Sequence, residues 1–461
     1  MAADWVEQFK AANDITTKIS LRGVLDDDAR AALNFRAGDL LTGSVPISAQ
    51  LEGHRGSLRR AQMTMDLTPT TLGVDLLNFH KPAGTTASAQ VTAHFGANGD
   101  IGAEDIVISG NDLSARGTLN FDKDGGIGHL EFPSFKAGAN DFAISVSQAG
   151  GGVYEIALKG RSADGTAIGR RSSSSASASD KSSEGETPLH LVAHLERVSL
   201  RNGVQLSPFA LDANVVGSRL QSLSLTAGLA KPNDLTATVT PTDAGRQLTM
   251  NAGDAGQFLK GFFGFGSVTG GRIQVAGTLA PAKKDAKAEY WGTIDIRDFK
   301  VQNQPFLARL LSAGSLGGIL DLMRNQGIAI DRLEVPFKGH GDIVDIREAH
   351  ASGPSIGFST EGYVDRRANQ LQLRGAVAPL YGINGFLGAI PVLGSVLTSK
   401  KGEGIIGVTY TLSGNIDEPK VSVNPLSMLT PGIFRRIFEG KAPSAPPEQA
   451  DPGQAKPNPT P

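Results

Sequence analysis

The chain contains no cysteine in 461 residues. That excludes a disulfide framework, a thiolate metal site and a cysteine nucleophile. Aromatic residues are scarce at 6%, and the charges nearly cancel, with 44 Lys and Arg against 46 Asp and Glu, for a formal net charge of −2. A chain so close to neutral does not hold nucleic acid by bulk electrostatics. The opening stretch, MAADWVEQFKAANDITTKIS, has neither a basic n-region nor an apolar h-region, so it is neither a signal peptide nor a membrane anchor. Two readings stand side by side: a cytoplasmic protein, or a fragment whose anchor is encoded upstream of Met1.

What the chain has in excess is glycine, 57 residues, or about 12% against the usual ~7%. There is no G-X-Y period, which excludes collagen. Apolar residues alternate with polar or small ones almost throughout. Thr17, Ile19 and Leu21 share a face, as do Val45, Ile47, Ala49 and Leu51, then Ala89, Val91, Ala93 and Phe95, and later Phe142, Ile144 and Val146. Period two is the mark of a half-buried strand. Turn signals such as Asp164-Gly165, Asn202-Gly203 and Asp243-Ala244-Gly245 separate the runs, and the glycines are expected chiefly at such turns. The pattern predicts a mainly β fold of about 24 strands, and one continuous sheet of that size would measure roughly 115 Å across its strands. A sandwich, a barrel or an extended curved antiparallel sheet with an open apolar groove would each produce it.

Helices are predicted at 26–33, at 254–263 and at 305–324, where Pro305 falls near the first helical position. The segment 380–398, LYGINGFLGAIPVLGSVLT, is 19 residues without a charge. It could just span a bilayer core. Asn384, Pro391 and its glycines argue instead for an apolar helix-turn-helix packed on a sheet or lying at a membrane interface. The Ser-rich stretch 170–187 reads as a flexible linker or loop. It separates an N-terminal strand array, 1–169, from a second array, 188–440. The polar, Pro-rich tail 441–461 reads as disordered.

Chemical motifs are weak. Gly353-Pro354-Ser355-Ile356-Gly357 spells G-x-S-x-G, but a nucleophile elbow needs a helix after the turn. Ser355 leads instead into the alternating run Ile356, Phe358, Thr360. His190 and His194 share a strand face with Val192 and Glu196, and nothing nearby supplies a third metal ligand. Gly264-Phe265-Gly266 with Gly270-Gly271 lacks the dinucleotide-binding spacing. His54, Arg55, Arg59 and Arg60 form a small basic cluster, read as a solvated hairpin end or an anionic headgroup site. No carboxylate pair stands out as an acid/base couple. The residues therefore point to a non-enzymatic protein with no metal and no cofactor.

From about residue 253 to 440 the chain resembles the C-terminal region of the AsmA-like envelope proteins, the YhdP- and TamB-related group. The resemblance is carried by AGDAGQFLKGFFGFGSVTGGRIQVAGTL at 252–279, QPFLARLLSAGSLGGILDLMRNQGIAIDRLEVPF at 304–337 and GPSIGFSTEGYVD at 353–365. The run from 373 to 440 adds IPVLG at 390–394, Gly402-Glu403-Gly404 and VNPLS at 423–427. The first half is similar only through LDDDARAALNF. The resemblance implies a periplasmic, inner-membrane-associated protein of the Gram-negative envelope, built as a long curved sheet with an apolar groove. Such a protein would bind or conduct phospholipids between the two membranes. The anchor typical of the group is not in this chain, which suggests a fragment or truncated gene model. The alternative is a scaffold that assists outer-membrane protein assembly through an envelope protein partner. On the groove reading, Ile273, Val275, Ile356, Phe358, Leu371, Leu373, Val408 and Tyr410 line the groove and meet phospholipid acyl chains. Phe306, Leu310, Leu311, Phe386, Leu387 and Leu393 are then the membrane- or partner-facing residues of two apolar helices.

Overall fold

A computed structural model describes residues 2–424, apart from 8–15, 33–39, 56, 97–100, 123–125, 151, 168–186, 218, 282–287, 314–323, 325, 380–407 and 417. The fold is mainly β, mostly antiparallel, with three short helices among the described residues. The chain separates into two compact units, one comprising 1–241 and 250–266, the other 242–249 and 267 onward.

The first unit contains β1 (Ala2–Glu7), β2 (Thr17–Leu25), α1 (Asp27–Ala32), β3 (Leu41–Thr42), β4 (Val45–His54), β5 (Ser57–Asp66), β6 (Thr71–Val74), β7 (Phe79–Lys81), β8 (Ala87–Phe95), β9 (Ile101–Gly110) and β10 (Leu113–Phe121). It continues with β11 (Ile127–Ala137), β12 (Asn140–Gln148), β13 (Tyr154–Asp164), β14 (Pro188–Ser199), β15 (Gln205–Leu206), β16 (Phe209–Val216), β17 (Arg219–Ala227) and β18 (Leu235–Thr242). After β19 (Gly245–Ala252), whose residues are shared between the units, comes α2 (Ala255–Phe263).

The ladder of this unit runs β1, β2, β4, β5, β8 to β14, then β16 to β18. Its first and last strands do not pair with each other, so the sheet is open. Every step is antiparallel except β13 to β14, which pair in parallel. A parallel pair needs a connection that returns to the starting end of the sheet. The Ser-rich stretch is that connection. The strands on either side of it are direct neighbours in one unit.

Short connections join β4 to β5, β8 to β9, β10 to β11 and β12 to β13 at one end of the strands. The insertions fall at the other end. There α1 and β3 follow β2, the small sheet of β3, β6 and β7 forms, and α2 packs on a turn at Arg201–Gly203. Asp254 caps α2 by accepting from the Gln257 N–H at 2.9 Å, and Gly264 ends it at φ 76°. Beneath the small sheet, Val45, Leu67, Ala87 and Ala89 are buried against Leu25, Leu41, Leu72 and Ile108. Two buried cations pin this cap. The Arg30 guanidinium donates to the carbonyls of Leu25 and Gly43 at 3.0 and 2.7 Å and pairs with Asp27. The Lys81 ammonium donates to the carbonyls of Thr70, Pro82 and Thr85 at 2.8, 3.2 and 3.1 Å.

The second unit is a simple antiparallel ladder. Its strands are β20 (Val268–Leu279), β21 (Glu289–Val301), β22 (Ile328–His340), β23 (Ile343–Ser352), β24 (Ile356–Asp365), β25 (Gln370–Pro379), β26 (Val408–Asn415) and β27 (Lys420–Asn424). The helix α3 (Pro305–Ala313) leaves β21 but packs against β27, so it bridges the strand ends of this unit. Of the helix expected over 305–324, residues 305–313 are helical and 314–323 lie outside the described residues. So do the apolar segment 380–398 and the tail 441–461. Among the described residues, no helix is long and apolar enough to cross a membrane.

Because Lys81 is 4% exposed and holds three carbonyls, Lys81→Met strands those oxygens without a donor. The expected loss is about 1–3 kcal/mol, read as a lowered urea midpoint with an unchanged slope.

Candidate functional site

Side chains on a strand alternate between faces, so pairing register decides whether apolar residues on neighbouring strands line up. Here they do. In the first unit one row crosses the whole ladder at right angles to the strands. It starts at Trp5 and passes through Ile19, Leu51, Ala61, Ala93 and Ala103. Leu119, Leu130, Val146 and Ile156 carry it on. Across the parallel joint it continues through Leu191, Ala213 and Leu223 to Val239. No polar side chain interrupts it. A neighbouring row begins Leu21, Ala49, Met63, Val91, Ile106. From β2 to β18 these rows cover thirteen strands, roughly 60 Å along the ladder at ~4.8 Å per strand.

The opposite face is polar and laced with ion pairs, such as Arg116 with Asp105 at 3.2 Å. In the second unit Asp295 accepts from Arg297 and Arg332 at 2.6 and 2.7 Å, and Arg374 meets Glu361 at 2.6 Å. Burial raises the Asp295 carboxyl, and the two arginine hydrogen bonds more than offset it, so its pKa lies below the ordinary value.

The apolar face is not equally covered along its strands. At the capped end Val45, Ala87 and Ala137 are fully buried. In the middle the alanines are buried but Leu51, Met63, Val91 and Ile144 remain half-buried. At the hairpin end Ile101, Phe121 and Ile127 are 45, 41 and 37% exposed. The face therefore opens toward the hairpins.

All eight residues expected to line a groove lie on one face of the second unit. Register joins Ile273, Ile296, Leu333, Ala351, Phe358, Val377 and Val408 in one row. Val275, Leu371, Leu373 and Tyr410 lie on the same face in the rows beside it. Ile273, Ile356, Val408 and Tyr410 are buried, whereas Val275, Phe358, Leu371 and Leu373 are half-buried. Leu310 and Leu311 correct the expectation of an outward-facing helix. They are 2 and 0% exposed, because α3 turns its leucines inward to close the strand ends. The side chain of Phe306, and Phe386, Leu387 and Leu393, lie outside the described residues.

Several features had no sequence signal. Glycines stand inside strands as well as at turns. Gly375 faces Tyr410 across β25 and β26, and the ring lies over it, so that the Tyr410 hydroxyl donates to the Ser359 carbonyl at 3.0 Å. The Tyr290 ring covers Gly339 in the same way, and an added Cβ would sit 1.9 Å from its Cζ. His190 and His194 fall on the polar face, with His190 3.2 Å from Asp212. Among the described residues no group of three or more His, Cys, Asp or Glu could hold a metal. Ser355 enters β24 directly, without the helix an elbow requires. No family model, no curated protein and no solved structure matches the chain.

Burial pushes the Tyr410 phenol from its ordinary 10 up to about 12. A group raised in this way favours the fold at pH below its unfolded value and ceases to do so as pH rises through the folded one. Wild-type stability is expected to fall between pH 10 and 12, and Tyr410→Phe to flatten that limb in pH-dependent urea titrations. At neutral pH the lost hydrogen bond costs about 1 kcal/mol.

Proposed function

We propose that the chain is a non-enzymatic lipid-binding protein whose apolar sheet face forms a groove for phospholipid acyl chains. The observation that carries this reading is the set of apolar rows in the first unit, unbroken by any polar side chain and only half-covered at the middle of the strands. A face that apolar must be covered. Each buried CH₂ contributes about 0.8 kcal/mol without directional demands, so a diacyl chain is held firmly yet free to move from strand to strand along a row. The row direction, across the strands, gives such movement a continuous path. The resemblance to the AsmA-like envelope proteins supports a periplasmic setting at the inner membrane, with phospholipid moving toward the outer membrane. The scaffold alternative calls for a tightly filled face, and the half-buried leucines and methionines favour lipid.

Native mass spectrometry of detergent-free protein is expected to show bound phospholipid. Glu substitutions at Met63, Val91 and Ile144 are expected to lower its occupancy several-fold. The same substitution at Gln62, Thr92 and Ser145, their neighbours on the polar face, is expected to leave it unchanged. Protein free of lipid, or equal losses from both faces, would overturn the reading.

A further inference from the structure

The polar face of the second unit carries two aromatic side chains that its apolar rows do not use. Trp291 stands between Tyr290 and Gly292, which belong to the apolar face, so its indole points the other way and is 42% exposed. Register extends its position into a row of Thr278, Trp291, Lys338, Asp345, Tyr363 and Gln372, on β20 to β25 in turn. Lys338 and Gln372 are exposed, and Thr278, Asp345 and Tyr363 are half-buried. Trp291 and Tyr363 are three strands apart, about 14 Å along the ladder. The diagonal neighbours of the indole, Ala276 and Pro336, are short side chains that leave its ring open. Elsewhere on this face the charges neutralise one another, Asp295 with Arg297 and Arg332, and Glu361 with Arg374. In this row they do not. Among the described residues, the Trp291 Nε1, the Lys338 ammonium, the Asp345 carboxylate, the Tyr363 hydroxyl and the Gln372 amide have no hydrogen-bond or ion-pair partner. Lys338 and Asp345 are nevertheless directly opposite each other in register.

We infer that this row binds an extended, uncharged oligosaccharide, with Trp291 and Tyr363 as stacking platforms and Lys338, Asp345 and Gln372 as hydrogen-bonding groups between and beside them. A pyranose ring presents a C–H face and a rim of hydroxyls. An aromatic ring carries negative potential over its face, so it attracts the C–H face. The hydroxyls need donors and acceptors close by, and the uncommitted side chains of the row supply both. An acyl chain or a bilayer does not fit here, because polar side chains separate the two rings and no apolar surface joins them. The opposite charges of Lys338 and Asp345 cancel, which favours a neutral ligand over an acidic or a basic one. At about 14 Å apart the two aromatics are beyond the reach of one sugar ring, so the site calls for a chain of several. The face is the one opposite the apolar rows, so this site is independent of acyl binding.

The test uses the full chain with N,N′-diacetylchitobiose and tetra-N-acetylchitotetraose as probes. The chain has two tryptophans, so Trp5→Phe leaves Trp291 as the reporter of its own site. In that background the tetrasaccharide is expected to shift the emission to the blue along a saturable curve. It is expected to bind about tenfold more tightly than the disaccharide, the contribution of stacking on a second ring. Tyr363→Ala is expected to reduce the tetrasaccharide to the affinity of the disaccharide, and Tyr363→Phe, which keeps the ring, to restore most of the difference. Trp291→Ala, followed by calorimetry, is expected to lose both ligands and keep its thermal midpoint, since the indole is exposed. Emission that neither saccharide moves, binding that survives Trp291→Ala, or equal affinity for the two lengths would overturn the assignment. Each of these outcomes leaves the acyl reading of the opposite face standing.

Discussion

Everything in this structure depends on pairing register. A strand presents its side chains with a period of two, and a slip of one residue would turn a whole strand's apolar set to the opposite face. Across the first unit no such slip is allowed to accumulate. The bulges in β9 to β11 are each matched so that Ala103, Leu119 and Leu130 stay in line. Even the change from antiparallel to parallel at β13 and β14 keeps Ile156 opposite Leu191. The result is a sheet with one continuous greasy face and one continuous charged face.

Such a face is a liability unless its exposure is managed. Within each unit the management is directional. In the first, α1, the small sheet and α2 close one end of the strands, and Arg30 and Lys81 saturate the carbonyls of the cap. In the second, α3 bridges from β21 to β27 with three buried leucines, Leu307, Leu310 and Leu311. Glycines in the strands serve the same covering. Gly339 and Gly375 leave room for the rings of Tyr290 and Tyr410 to lie across the sheet, and each ring shields backbone that a side chain would otherwise cover.

Much of this was legible in the residues. Alternation marked the strands and assigned Ile19, Leu51, Val91, Ile144 and Val408 to the apolar side correctly, because period two is a local property. The start of α2 was equally local, since Asp254 is a capping side chain. Other features were not local. The Ser-rich stretch read as a linker or loop because composition reports solvation, and composition carries no information on the parallel pairing of β13 with β14. Leu310 and Leu311 looked like an outward apolar surface because a helical stripe shows that a face must be buried, without showing against what. The eight groove candidates were all placed in the second unit, where the resemblance lay, whereas the longer unbroken rows are in the first.

The sequence by itself determined the β character, the two-faced strands, the lack of any thiol or disulfide chemistry and the presence of a basic hairpin. These follow from side-chain type and from spacings of two to four residues. Only the tertiary structure decided that the apolar faces join into rows, that one end of them is sealed and the other open, and that Trp291 and Tyr363 stand in one row of the polar face. Those depend on hydrogen-bond pairing between strands and on packing between residues far apart in the chain.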